Sequence, residues 1–274
     1  MTSPQAAPRI AWRLATVVEV KEETSTTRTL VLDVPGWPGH IGGQHVDVRL
    51  TAEDGYQAER SYSIASAPES PPAQLALTIE RLDDGELSSY LCGELRVGDQ
   101  FELRGPIGGY FVWDVNVGGP LLLVAGGSGI VPLMAMLRHR AAALAARDVT
   151  RSKFASRTAG SAKELAIPAR LLYSSRRWED VIYREELATL AASDSALQVT
   201  HTITREPPPG WTGFHRRIDR AMLREIAWPP AERPHIFVCG PTPLVESVAT
   251  ALVELGHDRA LVKTERFGPT GGTT

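Results

Sequence analysis

At Gly118-Gly119-Pro120 the sequence changes character, and this break constrains the fold more than any other feature. Ahead of it lie six short runs with partial alternation of apolar and polar residues, at 12–20, 27–33, 45–50, 60–65, 74–80 and 100–104. Turn residues separate them, among them Pro35-Gly36, Gly42-Gly43, Asp54-Gly55, Pro71-Pro72 and Gly98-Asp99. Strands of this length and spacing predict a small antiparallel six-stranded barrel, with one short helix at 86–91 between Gly85 and Gly93. Beyond the break, residues 121–125 are continuously apolar, as in a strand buried on both faces of a parallel sheet. An Ala- and Leu-rich helix follows at 132–146. The theme repeats at 169–173, 198–204 and 235–239, with helices expected at 183–192 and 243–255 and a last strand at 260–264. Strand alternating with helix predicts a doubly wound α/β domain. The expected fold class is therefore β followed by α/β, with domains at 1–116 and 117–274. Residues 151–167 are polar and poorly periodic and read as a solvated excursion, and residues 269–274 read as a disordered tail.

Composition works by exclusion. The chain has 274 residues, enough for two medium domains, and 43% of them are hydrophobic, enough for a real core. A formal net charge of -3 argues against general nucleic-acid binding. No apolar run reaches the roughly 18 residues that cross a membrane. The start, MTSPQAAPRI, has neither the basic residues nor the apolar stretch of a signal peptide, so a cytoplasmic location is expected. The two cysteines, Cys92 and Cys239, are too few for an iron–sulfur or zinc site, so no metal is expected.

Two stretches of the first half suit a phosphate-bearing flat ligand. In Arg60-Ser61-Tyr62-Ser63, an arginine can fork onto a pyrophosphate. A tyrosine two residues later shares its strand face and can lay its ring along a heterocycle, and Ser63 can hydrogen-bond a ring nitrogen. In Gly85-Glu86-Leu87-Ser88, glycine permits close approach and a new helix start offers free N–H groups and a hydroxyl to phosphate. Read alone, this second stretch is more readily an ordinary capped helix than a phosphate site.

The second half carries a glycine loop, Gly126-Gly127-Ser128-Gly129-Ile130-Val131-Pro132, flanked by strand and helix as phosphate binding requires. It departs from the Gly-x-Gly-x-x-Gly fingerprint of ordinary dehydrogenases. Ser174-Ser175-Arg176-Arg177 follows the next strand, and serine plus arginine there can grip the 2′-phosphate that distinguishes NADP from NAD. Arg205 ends the third strand and can add a positive contact. No acidic residue stands ready for a ribose 2′-OH, which favours NADPH while leaving NADH possible. Without context, Cys239 is a small buried hydrophobe, and a charged surface turn is the lesser alternative for 173–177.

Together these motifs resemble the ferredoxin–NADP reductase superfamily, in the family's order and from Arg60 to Gly268. The resemblance rests on Arg60-x-Tyr62-Ser63, Gly85-x-x-Ser88, Gly126-Gly127-x-Gly129-x-x-Pro132 and Cys239-Gly240-Pro241. It implies that Arg60 meets the pyrophosphate of FAD, Tyr62 packs on the isoalloxazine and Ser63 lies near flavin N5. Gly85, Glu86, Leu87 and Ser88 would hold the pyrophosphate, which favours FAD over FMN. Gly127, Ser128 and Gly129 would cradle the dinucleotide, and Ser175, Arg176, Arg184 and Arg205 would bind its adenosine end. Cys239, Gly240 and Pro241 would border the nicotinamide, with Glu265 and Phe267 near the flavin edge. Gly105-Pro106-Ile107-Gly108 also looks similar to the family and reads here as a tight turn.

The chemistry so implied is hydride transfer from NADPH to FAD, with Ser63, Cys239 and Glu265 as catalytic candidates. The ferredoxin-type cysteine spacing is absent, so the expected acceptor is a separate protein, a ferredoxin or an oxygenase component. The alternatives are a stand-alone reductase of quinones, free flavins or ferric chelates, and a cofactor-binding subunit of a larger complex.

Overall fold

The computed structural model describes residues 10–71, 73–82, 84–154 and 167–267. The first half contains β1 (Trp12–Thr24), β2 (Thr27–Asp33), β3 (His45–Thr51), β4 (Gln57–Ser63), β5 (Gln74–Glu80), α1 (Glu86–Gly93) and β6 (Gln100–Ile107). The strands pair antiparallel in the order β4-β3-β6-β1-β2-β5, and a bridge between Ile64 and Leu77 joins the two edges into a barrel. Alternation builds its core: Leu30 and Leu32, Val46 and Val48, Leu75 and Leu77, and Phe101 and Leu103 all turn inward at a period of two.

The second half contains β7 (Leu121–Gly126), α2 (Ile130–Phe154), β8 (Ala169–Arg177), α3 (Arg184–Ser193), β9 (Leu197–Glu206), α4 (Arg220–Ile226), β10 (His235–Pro241), α5 (Thr242–Glu254) and β11 (Val262–Phe267). The sheet is parallel, in the order β11-β10-β7-β8-β9. Every residue of β7 is buried, because helices cover both faces. Leu123, Leu133, Tyr173 and Leu187 pack on one face, and Leu122, Val124, Leu223 and Val248 on the other. From β7 the chain winds one way through β8 and β9 and then the other through β10 and β11. The topological switch therefore lies between β7 and β10, where ligands of open α/β sheets bind.

The β plus α/β architecture read from the sequence is the observed one. Its details differ in places. β4 begins earlier than expected and ends at Ser63, and residue 64 lies past its end, where it forms the barrel-closing bridge and donates its N–H to the Gln44 carbonyl at 2.9 Å. The expected tight turn at Gly105-Pro106-Ile107 is instead the last part of β6. α2 runs to Phe154, so the first residues of the expected excursion are helical; residues 155–166 and 269–274, also the subject of expectations, lie outside the described residues. α4 was not anticipated at all, since its seven residues bury only Met222 and Leu223 and leave no periodic signal.

The two halves share a seam. Ala65, Phe111, Trp113 and Val115 join the same buried cluster as α2 and the parallel sheet. Phe111 meets Phe237 edge-to-face at 5.3 Å, and Lys263 donates to the Val112 carbonyl at 3.2 Å. His139 on α2 pairs with Glu69 of the barrel and accepts the Val115 N–H at 3.3 Å.

Candidate functional site

On the barrel side, β4 brings Arg60, Tyr62 and Ser63 to one strand end. Arg60 is exposed and forms no ion pair among the described residues; its guanidinium donates to the Glu59 carbonyl at 2.7 Å. Tyr62 is half-buried against the barrel core, and burial pushes its phenol above the ordinary range. Ser63 is 5% exposed, and its Oγ has no hydrogen-bond partner. A buried hydroxyl left unpaired costs about 1–3 kcal/mol, so it is expected where a ligand supplies the missing partner. The hydroxyl at the end of an Arg-x-Tyr-Ser strand fits the flavin.

α1 opens at Gly85, where a Cβ would run into the Ser88 hydroxyl. That hydroxyl is already engaged: it accepts from Leu82 N–H at 3.1 Å and donates to the Gly85 carbonyl at 3.2 Å. No side chain caps the helix, so what its start offers to a phosphate is the amides of Glu86, Leu87 and Ser88. The Glu86 side chain accepts from Tyr56 Oη at 3.2 Å.

The glycine loop sits at the switch point between β7 and β10. Gly127, Ser128 and Gly129 form a single 3₁₀ turn before α2. A Cβ on Gly129 would overlap the Cys239 carbonyl, so only glycine lets this turn lie against Cys239-Gly240. Tyr173 fastens the loop from below, donating to the Gly127 carbonyl at 3.1 Å while accepting the Ile182 N–H at 3.3 Å.

At the carboxyl ends of β8 and β9 the cations divide into two kinds. Arg177 is committed to Asp180, at 3.1 and 3.0 Å, and to Glu179. Arg176 and Arg205 are exposed and form no ion pair among the described residues, and they end adjacent strands. Ser175 beside them is 5% exposed with an unpaired Oγ. Arg184 opens α3 and lies over Trp178 at 5.7 Å.

Cys239 on β10 stands opposite Glu265 on β11. The thiol is fully buried and donates weakly to Glu265 Oε2 at 3.9 Å. Burial, then the Glu265 charge, pushes the thiol well up, so it acts as a neutral S–H. Burial also raises the Glu265 carboxyl, to about 7, against a smaller opposing effect of the Cys239 hydrogen bond. Gly240 and Pro241 end β10, and Phe267 pairs in register with Pro241 and packs on the α/β core.

The structure adds residues that the sequence did not single out. Arg217 is a further exposed arginine without an ion pair among the described residues, in the segment running beside the end of β9. His201 faces Tyr173 across β8 and β9, and burial lowers it to about 4. Arg138 bridges the seam. None belongs to a contiguous motif, and Arg217 alone could have been found, as one of the arginines at 216–220. Among the described residues no cluster of His, Cys, Asp and Glu is arranged to hold a metal, and no helix is long and apolar enough to cross a membrane.

Comparison with known proteins finds two families, one in each half of the chain. The oxidoreductase FAD-binding domain family matches residues 14–112, and the oxidoreductase NAD-binding domain family matches residues 123–250. The chain is 34% identical over 230 residues to ferredoxin–NADP reductase B of Sorangium cellulosum, covering 82% of this chain and 84% of that protein. It is 31% identical over 257 residues to the glycine betaine monooxygenase reductase subunit of Chromohalobacter salexigens; that match spans 92% of this chain and 63% of the relative's length. Among solved structures, the FAD/NAD-binding domain of nitric oxide dioxygenase from Vibrio cholerae superposes with a TM-score of 0.75 at 24% identity, covering 94% of this chain and 99% of that one.

Proposed function

The chain belongs to the ferredoxin–NADP reductase superfamily, and from that premise we propose that it takes a hydride from NADPH onto bound FAD and passes electrons to a separate acceptor. The observation that carries this reading is the buried, unpartnered Ser63 hydroxyl, two residues from a backbone carbonyl held by α2, the helix that the glycine loop opens. In this reading a flavin site and a dinucleotide site meet at one seam.

When bound, FAD accepts a two-electron hydride and can release electrons singly. The protein's part is binding, orientation and electrostatics. Arg60 would pair with the FAD pyrophosphate and the amides at the start of α1 would hydrogen-bond it; Tyr62 would cover the ring, and Ser63 would supply a hydrogen bond at N5. Gly127 to Gly129 admit the dinucleotide backbone, while Arg176, Arg184 and Arg205, with Ser175, hold the 2′-phosphate. Cys239 borders the nicotinamide as a compact neutral thiol. Glu265, held near neutrality by burial, can keep or release a proton at the flavin edge. Phe267 shields that edge. Residues 1–116 form the flavin domain and 117–274 the dinucleotide domain in this reading.

The acceptor we propose is a ferredoxin or oxygenase component, because relatives include a monooxygenase reductase subunit and a ferredoxin–NADP reductase. We place the protein in the cytoplasm. Anaerobic reduction of the FAD-loaded chain by NADPH and by NADH, followed by protein and small-molecule acceptors, tests the whole. A chain that stays colourless after FAD reconstitution would end the proposal.

A further inference from the structure

Arg138 on α2 bonds to both sides of the seam at once. Its Nη1 donates to the Ala65 carbonyl at 2.6 Å, two residues past Ser63. Its Nε and Nη2 grip the Glu186 carboxylate at 2.8 and 2.6 Å. The guanidinium also lies over the Tyr183 ring, 4.8 Å from its centroid. Tyr183 precedes Arg184 and Glu186 lies two residues after it, so Arg138 holds the first turn of α3, where the proposed dinucleotide-binding Arg184 sits.

The Ala65 peptide is fixed from two directions, since its N–H donates to the Ala76 carbonyl of β5 at 2.8 Å. Tyr183 repeats the link across the seam. Its hydroxyl donates to Thr78 Oγ1, Thr78 bonds Thr29 at 2.7 Å, and Thr29 donates to Glu23 at 2.9 Å. Tyr183 does this from a left-handed backbone, φ 59° and ψ 25°, which an aromatic residue rarely adopts. Such strain persists only where the surroundings over-determine it. Here a buried ring, a hydroxyl bond and a cation above the ring do so.

We propose that Arg138 is a positioning residue for hydride transfer: it locks the Ser63–Ala65 strand end and the start of α3 into one frame, so that flavin and dinucleotide meet in register. This rests on the function proposed above. Arg138 itself lines a groove of about 320 Å³ with Lys21, Glu23, Thr29, Ser66 and Gln74, none of which is assigned to either cofactor. Binding should therefore survive its loss while alignment does not. Misplacement by about 1 Å is enough to slow a reaction about 100-fold.

The test is Arg138→Met in the FAD-loaded protein, read by FAD and NADP⁺ dissociation constants, the NADP⁺-induced flavin difference spectrum, and anaerobic single-turnover reduction. Both dissociation constants should stay within about threefold, the difference spectrum should change, and the limiting reduction rate should fall about 10- to 100-fold. Arg138→Lys should restore part of the rate, since an ammonium can reach either partner. A rate within about twofold of wild type alongside a lowered melting point, or a rate loss explained wholly by lost FAD, would overturn the proposal. Should Arg138→Met not fold, Glu186→Gln keeps the cation and loosens its anchor: a slower limiting rate at unchanged affinities supports the idea, and an unchanged rate refutes it. If neither NADPH nor NADH reduces the wild type, the functional reading itself has failed. Arg138 is then judged by the difference spectrum alone, and a variant spectrum identical to wild type overturns the coupling.

Discussion

Replacing Glu265 with glutamine should make the protein more stable at alkaline pH and leave it unchanged in acid. Burial raises this carboxyl from the ordinary 4.5 to about 7. Between those values the folded protein keeps a proton that the unfolded chain has already released. Stability therefore falls as pH rises through the window, by about 1.4 kcal/mol per unit for a fully coupled group. Across the window that is about 3 kcal/mol, and partial solvent contact at the strand end reduces the working figure to about 2 kcal/mol. Below pH 4.5 both states hold the proton and the contribution vanishes; above 7 the penalty is complete. A glutamine amide has the same shape and does not titrate, so it removes the pH-dependent part. For a chain of this size about 2 kcal/mol corresponds to about 4–8 °C. Melting curves of both proteins by tryptophan fluorescence, from pH 4.5 to 8.5, should coincide at the acid end and separate by that amount at the alkaline end. Parallel curves would mean that Glu265 titrates normally, and its assignment as a near-neutral acid at the flavin edge would go with them.

Three further perturbations follow from the site. Arg176→Ala should weaken NADPH about 10- to 100-fold, the worth of a charged hydrogen bond, and leave NADH nearly untouched; equal losses for the two would refute the 2′-phosphate assignment. Cys239→Ala should slow single-turnover flavin reduction while FAD stays bound, and an unchanged rate would remove the thiol from the mechanism. Ser63→Ala removes a buried hydroxyl that has no partner, so the apoprotein should melt at or slightly above the wild-type temperature while reduction slows about tenfold. An apoprotein destabilised by 2 kcal/mol or more would show that the fold itself uses the hydroxyl.

The barrel strands and the glycine loop were legible because local signals mark them: alternation, a wholly buried run at β7, and glycine and proline at the joints. The order of motifs was legible for the same reason. What sequence could not divide is Arg176 from Arg177, since both are simply cations until Asp180 claims one of them. The hydroxyls of Ser63 and Ser88 look alike in a motif, yet one is unpartnered and the other doubly bonded within its own turn. Arg138 is invisible to local reading, because its partners lie 73 positions before and 48 after it. Helix α4 hides for a different reason: two buried side chains in one short segment make no period.

Three features that cost stability lie beside the seam. Ser63 is a buried unpaired hydroxyl, Glu265 a carboxyl whose ionisation burial makes costly, and Tyr183 an aromatic residue on a left-handed backbone. Each of these costs on the order of 1–3 kcal/mol on its own. The shared apolar cluster of Ala65, Phe111, Trp113 and Val115 with α2 offsets them, as does the Arg138 bridge. On the function proposed above, a seam already braced in this way would need little reorganisation when a dinucleotide arrives. A seam left loose would lower the cost of folding but charge it again at each turnover, as slower alignment. Mutations that relax the seam should therefore separate stability from rate, with Ser63→Ala gaining the first while losing the second.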